Sequence, residues 1–257
     1  MKIDMHCHTK EGSVDGKVSI EEYIQELKKK GFDGMLISDH NTYKGYRAYM
    51  KKQGAQPESD FIVLKGVEYD TCDGGHILVI MPDGVELKIL EIRGLNVKKL
   101  IEVVHKNGGI LGPAHPYGEK YVSLFRTRKY SKQKEILQKF DFVEGFNSCE
   151  NKARNDAAQR IAKKYQKPVI GGSDAHKKEC VGLGYTWLPG KIVSTTDLIS
   201  CIRDEGDGIL CGGSCFGGTT RERMGMAKIL WIWTFRIYSL VANLARQKKR
   251  KQEVKKL

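Results

Sequence analysis

The sequence predicts an α/β fold in which strands alternate with helices and a parallel sheet closes into a barrel of about seven units. Three observations carry this expectation. Strand-like apolar runs and amphipathic helical segments alternate without a break from residue 2 to about 206, and that β-then-α order places helices outside a parallel sheet. A chain of 257 residues suits one such barrel, whose usual size is about 250 residues. Its 40% hydrophobic and 29% charged content is that of a soluble globular protein with a sizeable core.

In order, "KIDMHCHT" (2–9) is the first strand. A helix follows from Ser19, a good N-cap, with Glu22 completing a capping box and Gly31 ending it. The strand "DGMLISDHN" and a short helical stretch near 44–53 come next, then the strands "FIVLKGVEY" and "HILVIM". Asn96 caps the helix "VKKLIEVVHKN", which stops at Gly108. The strand "GILGPAHP", a helix around 130–139 and the strand "DFVEGFN" follow. A helix across "KARNDAAQRIAKKY" leads to the strand "KPVIGGSDAH", and "GLGYTWL" and the helix "TTDLISCIRDEG" complete the pattern. No internal repeat is visible, and no low-complexity segment apart from the basic tail.

After Gly218 the character changes, so the expected organisation is one α/β domain over 1–218 and an amphipathic helix with a basic tail over 219–257. "MAKILWIWTFRIYSLVANLA" is strongly apolar, with Lys228, Arg236, Ser239, Asn243 and Arg246 forming a narrow polar stripe at helical spacing. Its uninterrupted apolar stretch is short and Arg236 lies in its middle, which argues against a membrane span. Two readings stay open: a terminal helix packed on the barrel, or an interfacial helix leading into the tail. The last twelve residues supply +6 of the net charge of +13. Such a tail suits a solvated end, nucleic acid or an anionic membrane surface.

The histidines carry the chemistry. Residues two apart on a strand point to the same side, so Asp4, His6 and His8 are expected on one face of the first strand and Ile3, Met5 and Cys7 on the other. An HxH pair alone does not separate a structural accident from a metal site. The others add weight: His40 ends the strand in "ISDHN", His76 opens one in "GGHILV", His115 lies in "GPAHP", and His176 lies in "GGSDAH" two residues after Asp174. Asp15 follows the first strand in "EGSVDG", and Glu68 sits in "GVEYD". Strand ends gather on one face of a parallel barrel, so these residues predict a multinuclear metal site. Mixed imidazole and carboxylate donors suit Zn, Mn or Fe. His105, in the last turn of a helix, has no expected role beyond favouring that helix end.

"DMHCHT…D", "SDHNT", "GVE", "AHP" and "GSDAH", in this order from residue 2 to about 190, resemble the motifs of the polymerase and histidinol phosphatase (PHP) family of metal-dependent phosphoesterases. The resemblance implies a distorted (β/α)7 TIM-like barrel with two or three divalent ions at its C-terminal face. It assigns one ion to His6, His8, Glu68 and Asp174, a second to Glu68, His76 and His115 with Glu68 bridging, and a third to Asp15, His40 and His176. The expected reaction is hydrolysis of a phosphate ester by a metal-activated hydroxide, with no protein nucleophile. Asp174 or His176 is the candidate for assisting proton transfer.

Lys10, Lys120, Arg126 and Arg154 are candidate substrate contacts, because they fall in or near segments after strands and cations grip phosphate; solvent-facing charge is the alternative for each. Asn147, in "EGFN", is a candidate for polar support or substrate contact. The expected substrate is a small phosphorylated metabolite or nucleotide. The alternative is a 5′-3′ exonuclease on RNA or DNA ends, which a basic body would help but which no aromatic-rich basic groove supports. A metal-dependent amidohydrolase, which often bridges its metals with a modified Lys where this chain offers Glu68, and a protein-tyrosine phosphatase fit less well. No feature calls for an obligate protein partner. The start of the sequence has no apolar leader region, and seven cysteines without disulfide spacing fit a reducing compartment, so a cytoplasmic location is expected. Cys211 and Cys215, in "CGGSC", are read as free thiols in a loop, with a metal or redox pair as the alternative.

Overall fold

The computed structural model describes residues 1–53, 60–119, 122–204, 206–216 and 227–256. Its strands are β1 (Lys2–Cys7), β2 (Gly34–Ile37), β3 (Ile62–Asp70), β4 (His76–Ile80), β5 (Ile110–Pro113), β6 (Val143–Asn147), β7 (Val169–Gly172), β8 (Gly184–Trp187) and β9 (Leu210–Gly213). Its helices are α1 (Ile20–Lys29), α2 (Lys44–Gln53), α3 (Val97–Lys106), α4 (Lys152–Lys164), α5 (Thr195–Asp204) and α6 (Ala227–Val254).

Local chemistry explains the helix starts. Ser19 and Glu22 cap α1 reciprocally, Ser19 N donating to Glu22 Oε2 at 3.1 Å and Glu22 N to Ser19 Oγ at 3.4 Å. Asn96 accepts from Lys99 N at 2.9 Å, and Asn151 from Arg154 N at 3.1 Å, at the starts of α3 and α4. The segment expected to be a helix around 130–139 is instead a 3-10 turn over Lys134–Lys139. The glycine-rich "CGGSC" begins inside β9 rather than in a loop, and all seven cysteines are free thiols.

Seven strands form a curled sheet in the order β5-β4-β3-β2-β1-β8-β9, and β6 and β7 pair separately. The β6–β7 pair lies between the β5 edge and β1: Asp141 N donates to the Leu111 carbonyl, and Asp174 N to the His6 carbonyl, both at 2.9 Å. Apolar side chains confirm the closure. One cluster takes Ile3 and Met5 from β1, Leu36 from β2, Leu64 from β3, Leu78 and Ile80 from β4, Ile110 from β5, Phe142 beside β6 and Ile170 from β7. Leu198, Ile199 and Ile202 of α5 join the same cluster. The barrel interior is thus filled, as small barrels require.

The sheet is less uniform than the expected run of parallel units. β1–β2, β2–β3 and β6–β7 are parallel, but β3–β4, β4–β5, β1–β8 and β8–β9 are antiparallel. Only five residues, Thr71–Gly75, join β3 to β4, too few for a parallel crossover and enough for a hairpin. One face assignment also changes. The register of β1 against β2 shifts between Asp4 and Cys7, which breaks strict alternation. Ile3 and Met5 therefore lie in the barrel interior, while Cys7 packs with Tyr23 and Leu27 of α1. Asp4 leaves the histidines and bonds Ser173, accepting from its N at 2.8 Å and its Oγ at 2.5 Å. Burial pushes its carboxyl up to about 6.

α6 packs on the turn that follows the 3-10 segment Lys88–Glu91. Arg250 Nη1 donates to the Arg93 carbonyl at 2.7 Å, and the Arg93 guanidinium lies 5.7 Å from the Tyr238 ring. Gly94 permits this contact: its φ is +101°, and a Cβ there would stand 2.5 Å from Asn243 Oδ1. Gly94→Ala is therefore expected to lower stability by about 1–3 kcal/mol and to speed proteolytic release of α6. Urea unfolding and limited proteolysis check this; an unchanged digestion rate refutes the packing role.

Candidate metal centre

Six of the seven histidines converge at one end of the barrel. His6 and His8 lie at the end of β1, His40 follows β2, His115 follows β5 and His176 follows β7. His76 arrives differently. It opens β4, and because β4 runs antiparallel to β3, His76 pairs with Asp70 at the C-terminal end of β3. Glu68 comes from the same strand, two residues earlier, and so shares the Asp70 face.

The hydrogen bonds at His6 and His8 assign their tautomers. Nδ1 of His6 donates to Glu144 Oε1 at 2.7 Å. Ser13 Oγ donates to Asp39 Oδ1 at 2.9 Å, which leaves it to accept from His8 Nδ1 at 3.3 Å. Each ring, when neutral, then turns an Nε2 lone pair inward, and the two Nε2 atoms lie 3.1 Å apart. Glu68 Oε2 stands 3.5 Å from His6 Nε2 and 3.3 Å from His8 Nε2, and Asp174 Oδ1 stands 3.6 and 3.1 Å from them. Lone pairs and carboxylate oxygens meeting in a buried space fit a cation. Two orphaned atoms point the same way: Asp70 Oδ1 and His40 Nδ1 are buried without a hydrogen-bond partner.

The other donor sets lie alongside. Glu68 Oε1 is 2.9 Å from His76 Nδ1 and 3.1 Å from His115 Nε2. Nε2 of His176 is 3.1 Å, and Nε2 of His40 3.7 Å, from Asp15 Oδ2. His6–His8–Glu68, Glu68–His76–His115, His8–His40–His176 and His40–Asp70–His76 are each compact enough to hold one ion, their donor atoms lying within 4.8 Å of one another. All nine expected ligands are thus in one cluster, with Asp15 at its exposed rim.

Electrostatics follow from the crowding. Burial works against charge on Glu68, but the imidazoles of His76, His40 and His6 outweigh it and hold the carboxyl well below its usual range. Burial also works against protonating His40 and His115. Glu68, with Asp70 beside His40 and Asp174 and Glu144 beside His115, outweighs it and lifts both rings to about 9. Backbone strain concentrates here too: His115 has φ +28° and Asp174 φ +51°. Glu144 Oε2 accepts from the His115 N–H, and the His6 carbonyl accepts from Asp174 N, contacts that hold these conformations in place.

The substrate candidates fare unevenly. Asn147 is buried, its Nδ2 donating to Asp174 Oδ2 at 3.1 Å and Glu144 Oε2 at 3.2 Å, which is the polar-support position. Arg154 is held by Glu150 at 2.7 Å. Lys10 is exposed beside Thr9, and Arg126 is exposed three residues after Ser123, which bonds His115 Nδ1 at 3.1 Å. Lys120 lies outside the described residues. His105 bonds Asp141 at 2.9 Å, away from the cluster.

Two carboxylates that the sequence reading passed over back the cluster. Glu144 fixes His6. Asp70 Oδ1 lies 3.4 Å from both His40 Nδ1 and His76 Nε2, and its Oδ2 pairs with Arg93 at 3.0 Å. The available signals were an acid inside an apolar strand for Glu144, and same-face alternation with Glu68 for Asp70.

Comparison with known proteins agrees with this geometry. The PHP domain matches residues 4–173 and the PHP-associated family residues 152–205. The chain belongs to the PHP family, and its fold is that of metal-dependent phosphoesterases. It is 26% identical over 217 residues to the DNA polymerase III alpha subunit of Aquifex aeolicus, covering 68% of this chain but only 18% of that subunit. PsfC of Pseudomonas syringae shares the fold with a TM-score of 0.62 at 16% identity, covering 91% of this chain and 98% of its own. The lesion-specific endonuclease EndoQ of Pyrococcus furiosus also scores 0.62, at 18% identity, over 82% of this chain and 57% of its own.

Two outcomes are expected. Glu144→Gln and Asp70→Asn each weaken divalent-ion affinity about 10–100-fold, as losing a carboxylate behind a ligand does; titration against a fluorescent chelator reads this, and unchanged affinity refutes it. The second concerns pH. Rings lifted to about 9 in the folded state from about 6.5 unfolded stabilise the metal-free fold fully below about pH 6.5 and progressively less as pH rises through 9. A bound cation requires neutral rings. The Tm difference between metal-loaded and chelator-treated protein should therefore widen from pH 6.5 to 9; a constant difference contradicts this account.

Proposed function

We propose that the protein is a metal-dependent phosphoesterase that hydrolyses the phosphate ester of a small phosphorylated metabolite or nucleotide, using two or three divalent ions of the Mn, Zn or Fe kind. The observation that carries the reading is the set of adjoining donor groups, two of which share Glu68. His6, His8, Glu68 and Asp174 would hold one ion, Glu68, His76 and His115 a second, and Asp15, His40 and His176 a third. Ions held there supply Lewis acidity, which activates a water and offsets charge on the phosphoryl oxygens.

The chain's own groups do the positioning. Glu144, Ser13 and Ser123 hold the rings of His6, His8 and His115 by their Nδ1 atoms. Asn147 holds Asp174. His176 donates from Nδ1 to the backbone carbonyl of Asp174 at 2.9 Å, which orients its ring, and it is 32% exposed; it or Asp174 is the candidate for assisting proton transfer. Lys10, exposed beside Thr9, and Arg126, exposed three residues after Ser123, are candidate cations for a phosphate. Arg154 is less available, because Glu150 holds it.

A second reading, a 5′-3′ exonuclease on RNA or DNA ends, is supported by the net charge of +13 and by a fold shared with a DNA-lesion endonuclease. The test is a panel of phosphomonoesters, nucleoside bisphosphates and short oligonucleotides with Mn²⁺, Zn²⁺ and Fe²⁺. Metal-dependent turnover is expected, and His8→Ala or Asp174→Ala should reduce it at least 100-fold. Full turnover in the purified double variant would falsify the proposal.

A further inference from the structure

The described side chains of α6 divide into two sides. One side faces the body: Ala242 is buried, Asn243 lies against Gly94, Arg250 bonds the Arg93 carbonyl, and Val254 packs on the core cluster containing Ile89 and Leu90. On the other side Ile237, Val241 and Leu244 are 58%, 60% and 69% exposed. At about 100° per residue these three apolar positions form one line, and Lys248, Lys251 and Lys255 continue it, all exposed. A helix on a globular body ordinarily turns its apolar stripe inward. Here, among the described side chains, Asn243 and Arg250 face the body alongside Ala242 and Val254, and three aliphatic residues face outward.

Charge selects the occupant. Between residues 246 and 256, Arg246, Lys248, Lys249, Lys251, Lys255 and Lys256 are exposed. The one acid of that stretch, Glu253, pairs with Lys256 at 2.7 Å. An aliphatic line that runs into a cationic line matches the boundary between acyl chains and anionic headgroups. Nucleic acid would use the cations and leave the aliphatic residues without a role. A second copy docking through the same face would set like charges against each other. No helix among the described residues is long and apolar enough to cross a membrane, so contact would be at the surface.

We propose that the outward face of α6 docks on an anionic membrane surface, with Ile237, Val241 and Leu244 entering the acyl boundary and Lys248, Lys251 and Lys255 contacting lipid phosphates. This is independent of the catalytic reading.

The test is flotation of the full chain with vesicles of phosphatidylcholine alone or of phosphatidylcholine with phosphatidylserine. Binding is expected only to the anionic vesicles, with at least a fivefold loss in 0.5 M salt. V241E/L244E and K248E/K251E/K255E should each lower the bound fraction at least fivefold, while circular dichroism and Tm stay unchanged because all five positions are exposed. The proposal is overturned if the wild-type chain does not float. It is also overturned if V241E/L244E floats like wild type. Light scattering that shows a dimer, dispersed by V241E/L244E, assigns the face to a second copy instead. Oligonucleotide binding that K248E/K251E/K255E abolishes, in a chain that ignores vesicles, assigns it to nucleic acid.

Discussion

The Glu68 carboxylate is 1% exposed and lies within 3.5 Å of ring nitrogens of His6, His8, His40, His76 and His115. An ionised acid in such a place is costly unless positive charge surrounds it. His6, His8, His40 and His115, whose rings are pushed, against burial, toward the protonated form by the surrounding carboxylates, meet that demand in the metal-free protein, and divalent ions meet it when bound. Either way the strands that deliver those rings must end at the same height around one residue. That requirement fits the curl of the sheet, the left-handed backbone at His115 and Asp174, and the close approach of β7 to β1.

A ring of further polar groups keeps the arrangement from relaxing. Asp39 organises the loop after β1 by accepting from Thr9 N, Thr9 Oγ1 and Ser13 Oγ. Glu144 joins β6 to both His6 and His115, and Asp4 joins β1 to β7 through Ser173. Below this polar layer the barrel is filled by apolar side chains from β1–β5 and β7, with Phe142 beside β6. The two layers divide the work: the apolar layer supplies burial, and the polar layer fixes ligand geometry in a setting where an unpaired group is expensive.

Much of this was legible in the order of residues. The α/β alternation, the caps at Ser19 and Asn96, the ligand motifs and the likeness to the PHP family all rest on local signals. Other features were not legible, for physical reasons. Strict alternation put Asp4 beside His6, but the shifted register of β1 sends it to Ser173. His76 was expected to open a strand and does, but only the hairpin that reverses β4 brings that strand's start to the C-terminal end of β3. Glu144 and Asp70 looked like ordinary acids, since a carboxylate's role behind a ligand depends on which ring it touches.

The apolar helix near residues 229–245 shows the same division. Its composition and its basic tail were plain in the sequence, yet which side meets the body depends on a left-handed Gly94 more than 130 residues earlier. The sequence by itself determined the elements, the donor atoms and the family, because these follow from spacing and residue chemistry within a few turns of chain. Only the tertiary structure decided which carboxylates back which imidazoles and which face of α6 looks outward. Those outcomes depend on contacts between residues far apart in the chain, and no local periodicity encodes them.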